Sequence, residues 1–234
     1  MDFFWSNNIP YIQLFSLSHW FYLIFFTICF FLLIKNQKII ALKPDRYRYS
    51  LLIISMIQQV ILYFWYFDQK NFPISEALPL HISRVSSLLG ILYLLTLNRR
   101  IMDIMAYFST FAYLSFLAPA KIHPAYHALG LSFLINHVIT IILPYFAIIA
   151  YKWKPSFKAL INSYLCFIFY LLNLPLINQL TNGNYFYLNQ RPLNIFQSLS
   201  LPTYIALLIL ATFCLFYLFH LLLVYIITYR KKTP

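Results

Sequence analysis

The side chains best suited to chemistry gather in one segment, Glu76-Ala77-Leu78-Pro79-Leu80-His81-Ile82-Ser83-Arg84-Val85-Ser86-Ser87. If Pro79 opens a helix, His81 and Arg84 lie about 60° apart on one face, with Ser83 about 160° from His81. His81 and Arg84 then form a cationic, proton-transferring edge suited to a phosphate or carboxyl group. A nucleophilic Ser83 needs its base from another helix. A second polar line, Ser132, Asn136 and Thr140, is spaced four apart, so the three share a helix face and His137 flanks it. Entering from outside near His127, that helix carries His137 about 15 Å deep, where an imidazole needs a partner.

The elements that hold these lines must be membrane helices. The 234 residues are 62% hydrophobic and 9% charged, with mean hydropathy +0.73, far from the roughly 25% charge of soluble domains. At about 20 residues per span the length predicts a single membrane domain, residues 1–234, folded as an all-α bundle of about seven helices. The apolar runs are 18–34, 51–67, 79–97, 101–118, 127–151, 159–180 and 201–229, preceded by an interfacial segment 1–17. The loops between these runs carry 5, 1, 2, 1, 3, 1 and 3 Lys or Arg in order. Thirteen of these 16 charges therefore fall on one side. The positive-inside rule makes that side cytoplasmic, with the N-terminus outside and the C-terminus inside. The net charge of +12 is thus a topology signal and not a nucleic-acid footprint.

Arg84 is the basic residue that the loops leave over. About five residues inside the third span, it costs a few kcal/mol unless it is paired or snorkels. Either it faces a polar pocket, in which case Arg84→Leu removes function while sparing the fold, or it anchors the outer interface. Asn182-Gly183-Asn184-Tyr185-Phe186-Tyr187-Leu188-Asn189-Gln190-Arg191 is an outer loop able to cover a site at that leaflet. Arg84, Asn136, Asn184, Tyr185 and Arg191 are the candidate substrate contacts, and His81, Ser83 and His137 the candidate catalytic groups. The first turns of the third span and the outer half of the His137 helix are expected to face each other in one polar pocket, since each is unfavourable towards lipid.

Gln58, Gln59, Asn162, Ser163 and Asn173 read as interhelical hydrogen bonds. His123 and His127, flanking Pro124, read as solvent-exposed or interfacial and not as metal ligands. Cys29, Cys166 and Cys214 lie in apolar runs without metal-site spacing, implying neither disulfides nor zinc. Nothing calls for a metal or organic cofactor. Three glycines argue against GxxxG seams.

The LPLHISR segment, its continuation Gly90-Ile91-Leu92-Tyr93-Leu94-Leu95-Thr96, the His137 helix, and Gly183-Asn184-Tyr185-Phe186-Tyr187-Leu188 with Arg191-Pro192 resemble the YwaF family. These are bacterial multi-pass membrane proteins grouped with the transmembrane protein 164 acyltransferases. The resemblance runs from about residue 50 to the C-terminus. It implies an all-helical fold and transfer of fatty acyl groups between phospholipids, using a histidine and a thiol nucleophile within the membrane. His81 and His137 match the family's polar positions. The thiol expected close to the first histidine is absent, because the neighbours are Leu80, Ile82 and Ser83. Three functions compete: a lipid acyltransferase in the cell membrane, a non-enzymatic carrier or translocator of an anionic or lipid substrate, and a membrane assembly partner. Membrane lipids are the expected partners.

Overall fold

A computed structural model of the chain describes residues 3–6, 8–68 and 72–232, the last three by backbone alone. Lys70, the single basic residue of its loop, lies outside the described residues, as do the ends of the chain. In lipid every backbone N–H and C=O must be satisfied within its own segment, so apolar runs of this length fold as helices. The helices in order are α1 (Leu17–Lys35), α2 (Gln37–Leu42), α3 (Pro44–Phe67), α4 (Ile74–Ala77), α5 (Ile82–Thr96), α6 (Arg99–Phe108), α7 (Thr110–Leu117), α8 (Ala128–Tyr151), α9 (Phe157–Thr181) and α10 (Leu201–Lys232). The described residues contain no strand.

Five of these helices, α1, α3, α8, α9 and α10, are long and apolar enough to cross a membrane. The remaining two expected spans depart from simple helices. The 79–97 run is helical only as α5, 15 residues, or about 22 Å. Leu78 before Pro79 is extended at ψ 145°, as the proline ring requires, and the chain turns once more before the helix begins. The 101–118 run breaks into α6 and α7 at Ser109. There Ser109 Oγ donates to Ala106 O at 2.7 Å and Thr110 Oγ1 to Tyr107 O at 2.7 Å, so both hydroxyls compete for the helix's own acceptors. The basic 35–49 connection, read from sequence as a loop, is largely helical. Asn36 closes α1, its Nδ2 donating to Leu32 O at 2.8 Å, and Pro44 opens α3.

α8 is the hub. In its most apolar 18-residue window 78% of residues are buried, against 17–28% in the other four long helices. It packs on α1, α2, α3, α5, α6 and α7, while α9 joins through α6 and carries α10. The lipid-exposed character of α1 and α10 follows, with Phe31 60% and Leu218 64% exposed. Contacts tie the connections into two ends. At one, Ile12 N donates to Ile122 O (2.8 Å), Ala128 N to Phe4 O (2.8 Å) and Trp5 Nε1 to Asp68 Oδ2 (2.6 Å). At the other, Tyr151 Oη donates to Asp45 Oδ1 (2.9 Å), Trp153 Nε1 to Asp103 Oδ1 (2.8 Å) and Arg99 Nη2 to Lys154 O (3.2 Å).

With few glycines, several turns rest on other residues. Leu97, Lys152 and Asn182 end α5, α8 and α9 at φ 53°, 54° and 51°, a left-handed cap that glycine takes without strain. Gly130 is needed for close approach: a Cβ there would stand 1.9 Å from Pro124 O and 2.5 Å from His123 O.

Candidate functional site

α5 begins at Ile82, with His81 as an extended N-cap residue at φ −66°, ψ 133°. The helical-wheel relation between His81 and the residues after it therefore does not apply, because His81 precedes the helix. Its place is set by neighbours: the ring lies 4.9 Å from that of Tyr185. Tyr185 is itself pinned. Its N–H donates to Asn178 Oδ1 (2.8 Å), its carbonyl accepts from Asn178 Nδ2 (3.1 Å), and its Oη donates to Ile74 O (2.6 Å). Tyr170 Oη donates to Leu80 O at 2.6 Å, holding the turn in front of His81.

Arg84 is paired, as a guanidinium among apolar residues requires. Nη1 donates to the carbonyls of Glu76 and, at 3.3 Å, Leu78; Nη2 donates to Tyr66 Oη at 2.6 Å, and the guanidinium lies 5.1 Å from the Tyr66 ring centroid. Three of the five guanidinium donors are thus held, and the other two have no hydrogen-bond partner among the described residues.

The polar line on α8 meets α3 and α5 as its spacing implies. Ser132 Oγ accepts from Gln58 Nε2 (2.6 Å), Asn136 Nδ2 donates to Ser83 O (3.4 Å), and Thr140 Oγ1 donates to Asn136 Oδ1 (3.3 Å). Gln59 Nε2 completes the seam by donating to Ser87 Oγ at 3.0 Å and Gln58 Oε1 at 3.0 Å. Between them Ser55, Gln58, Ser87, Asn136 and Thr140 line a cavity of about 10 Å³, near the lower limit for one water.

His137 takes another direction. Its ring stacks on Phe133 at 3.8 Å and meets Phe116 of α7 edge-on at 5.9 Å. Its Nδ1 is 2.8 Å from Phe133 O, so Nδ1 carries the proton and Nε2 the lone pair. The structure therefore brings Ser83 to Asn136 and His81 to Tyr185, while the contacts of His137 are with the aromatic packing towards α7.

The 182–191 loop reaches the site through Tyr185 alone among its candidate residues. Asn184 is spent on the loop: Oδ1 accepts from Asn189 N (2.9 Å) and Gln190 N (3.0 Å), and Nδ2 donates to Gln190 O (2.9 Å). Arg191 donates to Phe196 O and, at 2.8 Å, Leu199 O, and sits 4.5 Å from the Tyr204 ring. Phe186 plugs between α7 and α9, 5.4 Å from Phe111 and 5.5 Å from Phe167. A Cβ on Gly183 would meet Ser75 O at 2.9 Å, so the loop closes tightly on the α4 region.

Sequence reasoning missed Tyr66, Tyr170 and Asn178. Asn178 had a signal, an amide in an apolar helix just before the loop it holds; the two tyrosines are hidden among twenty. Of the two histidines flanking Pro124, one is less exposed than expected. His127 is fully buried, its Nε2 donating to Ser6 O at 2.9 Å and its Nδ1 accepting from Leu129 N at 3.2 Å, because the N-terminal segment folds over it. His123 stands 4.2 Å from His127, and burial first, then that second imidazole, pushes its pKa down. Cys166 and Cys214 are exposed on α9 and α10, and Cys29 is half-buried on α1. Among the described residues no group of three or more His, Cys, Asp or Glu could hold a metal ion.

An all-α bundle with several membrane-crossing helices and polar side chains gathered at a helix start defines a multi-pass protein of the cell membrane. The model of the TMEM164 family matches residues 14–224, and the chain belongs to that family. No curated protein and no solved structure matches it.

Proposed function

We propose that this chain is an intramembrane acyltransferase that moves a fatty acyl group between phospholipids at the start of α5. Family membership supports the class of reaction. The observation that carries the site is the convergence on one helix start of His81 with Tyr185, Ser83 with Asn136, and Arg84 with Tyr66. Ser83 Oγ attacks the ester carbonyl of a donor lipid while His81 takes the hydroxyl proton. The ester C–O bond breaks, and the departing lipid hydroxyl leaves with that proton. An acceptor lipid hydroxyl then attacks the acyl-serine, its proton passes to His81 and on to Ser83, and the ester product departs. The two remaining donors of Arg84 take the lipid phosphate, and the N–H groups of Ile82 and Ser83, ahead of those that bond His81 O, stabilise developing negative charge. Asn136 positions Ser83 through its carbonyl. Asn184 and Arg191 act indirectly, by fixing the loop that delivers Tyr185.

The seven-traversal topology with N-terminus outside and C-terminus cytoplasmic belongs to the same proposal. It is supported by the two ends: one gathers Lys35 to Arg48, Arg99, Arg100 and Lys152 to Lys158, and the other holds the His81 site with few basic residues.

The test is transfer of a labelled acyl chain from a phospholipid to a lysophospholipid by the purified chain in lipid nanodiscs. Wild-type protein is expected to transfer, and Ser83→Ala and His81→Gln each to lose at least about 100-fold in folded protein. Full activity in Ser83→Ala overturns the nucleophile; lipid binding without any transfer overturns the enzyme.

A further inference from the structure

At the end of the bundle opposite His81, a cleft of about 260 Å³ opens over α8, lined by Ile34 and Gln37 on one side, Tyr145, Ile148 and Ile149 on its floor, and Ile226 and Tyr229 of α10 on the other. It exists because α1 packs mainly on α8 while α10 packs mainly on α9, leaving part of the hub helix between them. On the scale where about 10 Å³ is the lower limit for one water it holds many, and four of its seven lining residues are isoleucines, so much of its wall offers water no hydrogen bond. Such a space suits hydrocarbon.

Its surroundings select the headgroup. Lys35 and Lys38 adjoin Ile34 and Gln37 in the chain. The same end gathers Lys43, Arg46, Arg48, Arg99, Arg100, Lys152, Lys154 and Lys158 against two acids, Asp45 and Asp103. Asp45 is already engaged by Tyr151 and Arg48, and Asp103 by Trp153. We propose that the cleft is a seat for one acyl chain of an anionic phospholipid, its phosphate held by the Lys35–Lys38 turn. The site lies apart from the Ser83 patch and does not depend on the acyltransferase reading. The bound lipid fills the gap between α1 and α10 and fixes their separation.

The full chain is reconstituted in phosphatidylcholine vesicles with a photoreactive diazirine on an acyl chain of either phosphatidylglycerol or phosphatidylcholine. Phosphatidylglycerol is expected to label peptides containing Ile34, Ile148 or Ile226 preferentially. Ile34→Trp, at a position already 40% exposed, fills the rim without disturbing the core and is expected to cut that labelling at least about fivefold. Leu172→Trp, on an exposed face of α9, leaves it unchanged. Lys35→Gln with Lys38→Gln is expected to reduce the preference for phosphatidylglycerol by about fivefold per lysine. Equal labelling by the two lipids, equal labelling of the exposed α9 face, or unchanged labelling in Ile34→Trp would each overturn the proposal.

Discussion

Arg84→Leu separates a residue that only binds substrate from one that also holds the fold. The sequence alone suggests a guanidinium that is paired or faces a polar cavity and whose loss costs function with little loss of folded protein, or else an interfacial anchor. The structure gives the side chain three hydrogen bonds, to the carbonyls of Glu76 and Leu78 and to Tyr66 Oη. Bonds from a charged donor contribute about 1.5–3 kcal/mol each. Arg84 is half-buried, so the low end applies and the three together give about 4–5 kcal/mol. Leucine recovers about 2 kcal/mol because no charge need be held near hydrocarbon. The net is a destabilisation of about 2–3 kcal/mol, with Arg84→Lys falling between, since a lysine reaches fewer of the acceptors. Unfolding in mixed detergent micelles, followed by Trp fluorescence, measures it. A loss below about 0.5 kcal/mol would show that the turn from Glu76 to His81 holds itself and that this clamp is dispensable.

Other expectations follow from single contacts. Gly130→Ala drives a methyl into the Pro124 and His123 carbonyls and should destabilise by more than about 3 kcal/mol, read as loss of monodisperse protein on size exclusion. Lys152→Gly relieves a left-handed cap and should stabilise by about 0.5–1 kcal/mol in the same unfolding assay. His123, whose pKa lies below the ordinary 6.5 through burial and the nearby His127, contributes stability that is complete above that value and is lost as pH falls through it towards the folded value. Proteolysis of the N-terminal segment should therefore rise between about pH 7 and 5, and His123→Gln should flatten the change. Single-cysteine labelling in intact cells should succeed at position 191 and fail at 232; the reverse would discard the topology.

The helical membrane architecture was legible because lipid leaves an apolar run few alternatives. The polar seam was legible as one face at Ser132, Asn136 and Thr140 from the four-residue spacing, while its partner Gln58 on α3 comes from packing. The start of α5 was not. Pro79 reads as a helix opener, but carbonyls from Glu76 to Leu80 are claimed by Arg84 and Tyr170, contacts from distant segments that no local pattern encodes. His137 was read as flanking the polar face, yet whether an imidazole there turns to that face depends on packing, and here Phe116 and Phe133 hold it on the other side. The burial of His127 was hidden for the same reason, since its cover is the N-terminal segment.

The most direct test of the central claim is to trap the acyl-enzyme. Folded protein in nanodiscs is given a phospholipid with an isotopically labelled acyl chain and no acceptor, quenched, digested and read by mass spectrometry. A labelled ester is expected on the peptide carrying Ser83, absent in Ser83→Ala and discharged when lysophospholipid is added. Transfer activity with the label on Cys29, Cys166 or Cys214, or with no covalent label at all, would contradict it.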